Sequence, residues 1–403
     1  MKRLIFSVLA LVLSVSLLPS TPIAASSIAT KLPTKNTPAS QFQIKYDDLS
    51  YVLQNSVLET GRSDRRVASR AANKNTSTKI KHGNSKATAL EGNRVLFHEF
   101  TDNHRALLLA IRQDLEAVPN HMPLEKFSKN EQLAYWFNLH NVAVMLAISE
   151  NYPVKSIKRI SKGKKDVWAK KTMSIGGVPT SIRDIEEHVI SNWNSPLVLY
   201  GFYMGAIGGP NIRTEAYTGK DLNKQLEANA FDFINSLRGI KLWSGKGRVS
   251  DHYKMGKDKY FPDFDKNIKH HLLTYARGAT RRSIVGLKKF QIKNYDWSIA
   301  DLKNGESYSG SSYNTNPGAL THFIETPNPN LDNPFGGAAP ANLQVTDSFA
   351  SDPAVVNMQI GTIAPHVTAL LNGLKKRDAR RRQQGTVSVE EFVNEEGSRI
   401  GRK

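Results

Sequence analysis

The sequence contains no cysteine among its 403 residues. This absence excludes disulfide bonds, thiolate metal sites and thiol nucleophiles, because each of them needs a cysteine sulfur. A chain of this length can bury a large hydrophobic core without covalent cross-links. We therefore expect a fold that is held together by packing and that carries no thiol chemistry.

Acidic residues are scarce relative to basic ones. The 36 Asp and Glu residues compare with 55 Lys and Arg residues, which gives a formal net charge of +19 at pH 7. This excess attracts anionic surfaces through a long-range field that salt weakens. The expected partners are anionic lipid or acidic glycan. Nucleic acid is disfavoured, because no basic stripe carries interleaved Trp or Tyr for base stacking.

Part of the positive charge is concentrated in two runs. Residues 62–86 carry eight basic residues against one acid, and residues 155–171 also carry eight against one. Such a run is either a solvated surface or an anion-binding arm. Whether the two runs form one patch stays open, and the sequence does not indicate the oligomeric state.

Long uncharged hydrophobic runs are missing after residue 25. The first 25 residues contain Lys2 and Arg3, an apolar run over residues 4–18, and small residues that end at Ala25. This is the pattern of a secretory signal peptide, with a membrane anchor as the alternative, although the run is short for a membrane span. We expect a bacterial protein that is secreted or periplasmic and has no transmembrane segment after cleavage.

Composition divides the rest of the chain. Residues 26–44 predict a flexible lead-in, residues 301–354 are rich in Pro, Asn and Gly and predict a linker or wrap, and residues 355–403 predict a basic helical tail. Between them, residues 45–300 predict one globular domain. Its helical stretches dominate, and its few strand candidates cluster after residue 172. The expected fold class is α+β, a helix-rich single domain with a small central sheet.

The stretch from residue 128 to residue 148 predicts the central helix. Ser128 and Glu131 predict a capping box at its start. Apolar residues occupy nearly all its faces, which places the helix inside the domain. Asn138 and Asn141 lie one turn apart, whereas His140 is expected to point to the far side as a core histidine. Because an unpaired buried amide is costly, both asparagines need partners, through structural bridging or ligand contact.

A second predicted helix carries the main candidate for catalysis. Ser181 and Asp184 predict its capping box, and the helical spacing places Glu186 on its apolar face. A carboxylate there must be paired, protonated or solvated through a cleft. Glu186 is either a general base, beside a second carboxylate and an asparagine that donates to an oxyanion, or a structural partner of a backbone amide or arginine. The candidates for the second carboxylate are Asp184, Asp263 and Asp301. The candidates for the oxyanion donor are Asn138 and Asn141.

Histidines give a weaker signal. Among His140, His188 and His252, no pair has the His-x-x-x-His or Glu-x-x-His spacing of a zinc site. We therefore predict no metal site and no cofactor. His252, next to Asp251, is the histidine favoured as a catalytic candidate, with a turn role as the alternative.

An apolar run at residues 197–204 predicts a buried strand, followed by a turn at Gly208, Gly209 and Pro210. A glycine-rich turn between a strand and a helix can cradle phosphate. The spacing matches neither the dinucleotide nor the nucleoside-triphosphate motif, so a plain tight turn is the alternative. The candidate binding residues are Tyr203, Gly208 and Gly209 here, and Asn138 and Asn141 on the central helix.

Several short motifs resemble, in their order along the chain, the bacterial and plant domain-of-unknown-function family 547. They are Leu-Ala-Tyr-Trp-Phe-Asn-Leu-His-Asn at 133–141, Asn-Tyr-Pro at 151–153, Asp-Ile-Glu at 184–186, Gly-Pro at 209–210 and Tyr-Asp-Trp-Ser at 295–298. The resemblance covers roughly residues 45–300. It implies no established reaction, and the fold that it suggests is similar to that of papain or transglutaminase.

This chain departs from the family at the residues that suggested a thiol hydrolase. Many members are similar in carrying a His and two Cys where this sequence has Leu199, Met204 and Gly209. A histidine of the family is also displaced by one position, to His188. Without a thiol, we expect a non-catalytic exported binding or scaffold protein with a basic surface for anionic partners. The alternative is a hydrolase or transferase that uses carboxylates in a cleft beside the central helix.

Overall fold

The structure, a computed structural model, describes residues 31–67 and 86–305. The predicted signal peptide at residues 1–25 lies outside these ranges. So do most of the basic run at 62–86 and nearly all of the predicted linker at 301–354 and the predicted tail at 355–403.

Helices make up most of the described chain. In order, they are α1 (Asp47–Ser56), α2 (Asp102–His121), α3 (Lys129–Glu150), α4 (Ile182–Asn192), α5 (Leu222–Ile234), α6 (Lys257–Tyr260), α7 (Phe264–Tyr275) and α8 (Gly278–Val285). The strands are β1 (Val57–Leu58), β2 (Arg94–Val95), β3 (Met173–Ile175), β4 (Val178–Thr180), β5 (Ile240–Trp243), β6 (Lys246–Ser250) and β7 (Phe290–Asn294). They form the small sheets β1–β2, β3–β4 and β5–β6–β7. The predicted helix-rich α+β class is confirmed.

Helix α3 lies at the centre of the larger hydrophobic core, as its apolar faces predict. Every residue from Glu131 to Leu146 is buried, and helices α2 and α4 pack against it. Ser128 Oγ accepts the Glu131 N–H at 3.3 Å, so one half of the predicted capping box forms. The reciprocal half is wrong, because the Glu131 carboxylate accepts the N–H groups of Ile44 and Gly219 at 3.0 and 3.1 Å.

Local signals correctly predict the hairpin and the helix that follow. Strands β3 and β4 pair antiparallel, and the two turn glycines have φ values of 56° and 82° at Gly176 and Gly177. Both are left-handed conformations that glycine adopts without steric cost. Ser181 and Asp184 then form the predicted capping box of α4.

The predicted strand at residues 197–204 is wrong. Pro196–Gly201 is a 3-10 helix, and the Ser195 side chain caps it by accepting the Leu197 N–H. The segment is buried as predicted, but no strand pairs with it within the described ranges. The Asn141 side chain supplies its partner instead, by bonding to Gly201 and Tyr203.

A second, smaller core lies beneath the three-stranded sheet. Strands β5 and β6 are antiparallel, and β6 and β7 are parallel. Side chains from one face of the sheet lie in the same core as side chains of α5, α7 and α8. The buried residues of this core include Phe233, Ile240, Val249, Phe261, Leu272, Ile284 and Phe290. In the part of the chain described, no helix has the length and apolar character needed to cross a membrane.

Candidate functional site

The two asparagines of α3 bond to the backbone of neighbouring loops. Asn138 donates to the Tyr217 carbonyl at 2.8 Å and accepts the Tyr217 N–H at 2.9 Å. Asn141 donates to the Gly201 carbonyl at 3.1 Å and accepts the Tyr203 N–H at 2.9 Å. Each side-chain amide therefore supplies one loop with the donor and the acceptor that a neighbouring β-strand would otherwise provide. This geometry supports structural bridging, the first of the two interpretations open for these side chains.

The space beside these amides is too small for an organic ligand. A cavity of about 10 Å³ is lined by Asn138 and Asn141, which is room for one water molecule at most. Tyr203 is buried, and no described residue forms a hydrogen bond with its hydroxyl. Its main-chain N–H is held by Asn141, so the structure places Tyr203 in the core beside α3.

Glu186 forms a close pair with His140 across the α3–α4 contact. His140 Nε2 lies 3.1 Å from Glu186 Oε1, and His140 Nδ1 lies 2.9 Å from Asn141 Oδ1. Asn141 Oδ1 is an acceptor, so the Nδ1–H of His140 donates to it, and Nε2 lies within hydrogen-bond distance of Glu186 Oε1. His140 is buried as expected, but the prediction that it points away from the asparagines is wrong.

The other candidate carboxylates bond to groups elsewhere. Asp184 caps α4 and forms an ion pair with Lys171. Burial raises its pKa, but the hydrogen bonds from Lys171 and Ser181 outweigh burial and hold the pKa below its usual range. Asp263 Oδ1 accepts the Lys266 N–H at the start of α7.

Asp301 is fully buried. Its Oδ2 accepts the hydroxyl of Tyr152 at 3.1 Å and the N–H of Gly305 at 2.9 Å. Among the described contacts, none joins Glu186 to Asp184, Asp263 or Asp301. The second carboxylate expected beside Glu186 is therefore not supplied by these three.

His252 takes a structural position in the second core. Its Nε2–H donates to the Leu199 carbonyl at 2.6 Å, and burial lowers the pKa of His252 to about 4. Its neighbour Asp251 pairs with Lys254 at 2.8 Å. His252 is thus neutral near pH 7 and fixes the 3-10 segment that carries Leu199, which agrees with the turn role weighed for it.

The Gly208–Gly209 turn lies beside the larger cavity, which has a volume of about 410 Å³. Gly208 lines this cavity, and its N–H donates to the Asp296 carbonyl at 2.9 Å. A Cβ atom on Gly208 would lie 2.5 Å from the Asp296 nitrogen, so only glycine allows this close backbone approach. The Gly209 carbonyl accepts from Arg238 at 2.9 Å. The predicted turn is therefore held against the cavity wall.

Positive charge exceeds negative charge in the cavity wall. The charged lining residues are Lys86, Arg238, Lys241 and Asp296. Asp296 accepts from Lys86 at 2.5 Å and from Thr88 at 2.6 Å. Burial raises the Asp296 pKa, but these bonds outweigh burial and keep the pKa below its usual range. One ionised carboxylate thus faces three cations.

Lys241 is the cation of this wall with the least compensation. Its side chain is half-buried in β5, and burial lowers its pKa, although the charges of Asp296 and Glu91 act in the opposite direction. Within the described ranges, no hydrogen-bond acceptor is in contact with its ammonium group. An anionic ligand would relieve this unpaired charge.

These cavity residues were missed as a group by sequence reasoning. Lys86 closes one of the predicted basic runs, and Asp296 belongs to the Tyr-Asp-Trp-Ser motif, but neither pattern connects them to Arg238 or Lys241. Only the tertiary fold brings residues 86, 238, 241 and 296 together. Among the described residues, no group of three or more His, Asp or Glu side chains could hold a metal ion.

Comparison with known protein families gives a match. A family model described as "Protein of unknown function, DUF547" matches residues 124–234. The matched range contains α3, the His140–Glu186 pair and the Gly208–Gly209 turn. No curated protein and no solved structure matches the chain.

Proposed function

We propose that this chain is a binding protein for an anionic group; the family model that matches residues 124–234 has a description that names no reaction. The observation that supports this proposal is the cavity of about 410 Å³ whose wall carries three cations and one carboxylate. The proposal includes export to the periplasm or medium, which rests on the signal pattern predicted for residues 1–25.

The chemistry of the wall favours binding over catalysis. Arg238 and Lys241 supply the positive charge that a phosphate or carboxylate needs, and Arg238 is fixed in the wall because its Nη1 donates to the Gly209 carbonyl and to Asn211 Oδ1. The volume lies within the range of about 300–1,000 Å³ that is usual for small-molecule sites. The one lining carboxylate, Asp296, already accepts from Lys86 and Thr88, so it is poorly placed to act as a base.

Calorimetric titration of the purified chain with pyrophosphate tests this proposal. We expect binding that weakens as ionic strength rises, because the attraction is largely between charges. The Lys241→Gln variant should bind about fivefold or more weakly, since one cation is lost from a partly buried site. The Lys224→Gln variant removes an exposed lysine of α5 and should bind like the wild type.

Two results would contradict the proposal. One is the absence of any pyrophosphate affinity at low salt. The other is an equal loss of affinity in the Lys241→Gln and Lys224→Gln variants, which would mean that the net charge of the chain matters and the cavity does not.

A carboxylate-based hydrolase or transferase is the second candidate. It is favoured by one observation, the contact of 3.1 Å between Glu186 Oε1 and His140 Nε2. Glu186 lines neither of the two cavities described above. The enzyme hypothesis requires that hydrolysis of ester or glycoside substrates is measurable and is lost in Glu186→Gln but kept in Glu187→Gln, which changes an exposed neighbour.

A further inference from the structure

The three-stranded sheet has one apolar face and one cationic face. Alternate residues of a strand point to opposite sides, and paired residues of neighbouring strands share a side. Ile240 pairs with Val249, and both are buried in the second core. Lys241 pairs with Arg248, and Trp243 pairs with Lys246. These four residues therefore share the face that points away from the second core.

The tip of the β5–β6 hairpin exposes two large apolar side chains. Leu242 is 52% exposed and Trp243 is 59% exposed. Of the five tryptophans, Trp243 is the most exposed, and the guanidinium carbon of Arg248 lies 4.2 Å from its ring centroid. Exposed tryptophan beside cationic side chains is typical of segments that sit at a membrane–water interface.

Further cations and a third exposed apolar residue lie at the same end of the sheet. Because β6 and β7 are parallel, β7 begins beside the hairpin tip, with Phe290 paired to Gly247. The Gly247 N–H donates to the Lys289 carbonyl at 3.0 Å. Helix α8 ends shortly before, at Val285, which is 56% exposed. The tip and the end of α8 thus form one surface.

This surface is strongly basic. Residues 240–250 and 277–293 contain no Asp or Glu. One cation of these segments, Lys289, forms an ion pair with an acid of another element: Asp265 of α7 lies 3.0 Å from it. The cations placed next to the tip are Lys246 and Arg248 of the hairpin, and Lys288 and Lys289 just before Phe290.

We propose that this end of the molecule docks on an anionic lipid bilayer, with the hairpin tip entering the interface. Leu242 and Trp243 are consecutive, so they point to opposite sides of the hairpin. A rigid partner on one side would cover one of them, whereas a fluid bilayer covers both when the tip enters it. The surrounding lysines and arginines then face the lipid phosphates. This inference goes beyond the proposed cavity function, because it concerns a different surface of the molecule.

Tryptophan fluorescence of the full-length chain tests the docking. The probes are vesicles of phosphatidylcholine, with and without phosphatidylglycerol, and the same vesicles with brominated acyl chains. We expect a blue shift and bromine quenching with the anionic vesicles only, both weaker at high salt. The emission response should disappear in Trp243→Phe, because this residue reports the contact.

Matched variants distinguish specific contacts of the hairpin tip from nonspecific adsorption to the vesicles. Leu242→Ser should weaken the vesicle response about fivefold, because roughly half of a leucine side chain is no longer transferred to the interface. Leu107→Ser removes a leucine of α2 that is 41% exposed, and it should leave the response unchanged. Lys246→Gln should weaken the response, whereas Lys224→Gln should not.

Several outcomes would overturn the docking proposal. They are no emission change with anionic vesicles, an undiminished change in Trp243→Phe, equal responses to neutral and anionic vesicles, and a response to the acidic polysaccharide alginate without one to vesicles. Loss of pyrophosphate binding with an intact vesicle response would remove the cavity proposal alone. An intact pyrophosphate affinity without a vesicle response would remove the docking alone.

Discussion

Polar side chains are bonded differently around α3 and in the wall of the larger cavity. Asn138 and Asn141 each have a donor and an acceptor bond to main-chain groups. In the cavity wall, Asp296 is bonded to Lys86 and Thr88, yet positive charge remains in excess. Polar groups that serve the fold have their bonds completed within it. An excess of positive charge around a cavity is what points to a ligand.

The largest expected effect is a loss of stability at acid pH. It comes from two buried histidines in the second core whose hydrogen-bond partners are neutral. His252 donates to the Leu199 carbonyl, and His271 bonds to the Tyr200 hydroxyl at 2.7 Å. Burial lowers the pKa of each from its usual value of 6.5 to about 4. As the pH falls from 6.5 towards 4, the unfolded chain therefore binds protons first, and the free energy of unfolding decreases. The loss approaches about 3 kcal/mol per histidine, or about 6 kcal/mol for the two together.

Urea denaturation between pH 7 and pH 4 measures this loss. In the His271→Phe variant, the slope of unfolding free energy against pH should be shallower by up to about 1.4 kcal/mol per pH unit. His188 contributes a similar acid sensitivity, since burial lowers its pKa to about 4, and it is unchanged in this variant. An unaltered slope in His271→Phe would contradict the assignment.

A smaller effect is expected from removing one α3 amide. Asn138→Ala leaves the buried N–H and carbonyl of Tyr217 without these partners, so the free energy of unfolding should fall by about 2–4 kcal/mol. Asn55→Ala is the control, because Asn55 is exposed and its side chain donates to the Tyr51 carbonyl within α1. We expect less than about 0.5 kcal/mol there. Equal losses in denaturant titrations would mean that burial of the amide does not matter.

The smallest effect is expected at the His140–Glu186 pair. Glu186→Gln keeps a hydrogen-bonding side chain opposite His140 Nε2 but removes the negative charge, so we expect a loss of about 1 kcal/mol in unfolding free energy at neutral pH. Glu187→Gln, one position along α4, should be neutral. Stabilisation by Glu186→Gln would show that the carboxylate is held there at a cost and would strengthen the enzyme hypothesis.

Local sequence signals predicted the parts of the fold that depend on neighbouring residues. The apolar faces of α3, the Gly176–Gly177 turn and the Ser181–Asp184 capping box are encoded within a few positions, and the structure contains all three. The family assignment rested on such motifs as well. These features need no knowledge of which distant segments meet.

The errors lie where a distant side chain decides the conformation. The 197–204 segment has strand composition, but Asn141, some 60 residues earlier, takes the bonds that a neighbouring strand would have made. Likewise, the sequence shows that Glu186 needs a partner, but it does not identify His140. The cavity charges at Lys86, Arg238 and Lys241 come from three separate stretches, so no local pattern could connect them.

The spacing of side chains along β5 sets the distance between the hairpin tip and the cavity as well as the pattern of charge. Trp243 and Lys241 are two residues apart in the strand, which is about 7 Å. The headgroup layer on each side of a bilayer is of similar thickness, about 5–8 Å. A molecule anchored by Trp243 would thus hold the rim of its cavity among the headgroups, so that its ligand could arrive by lateral diffusion in two dimensions.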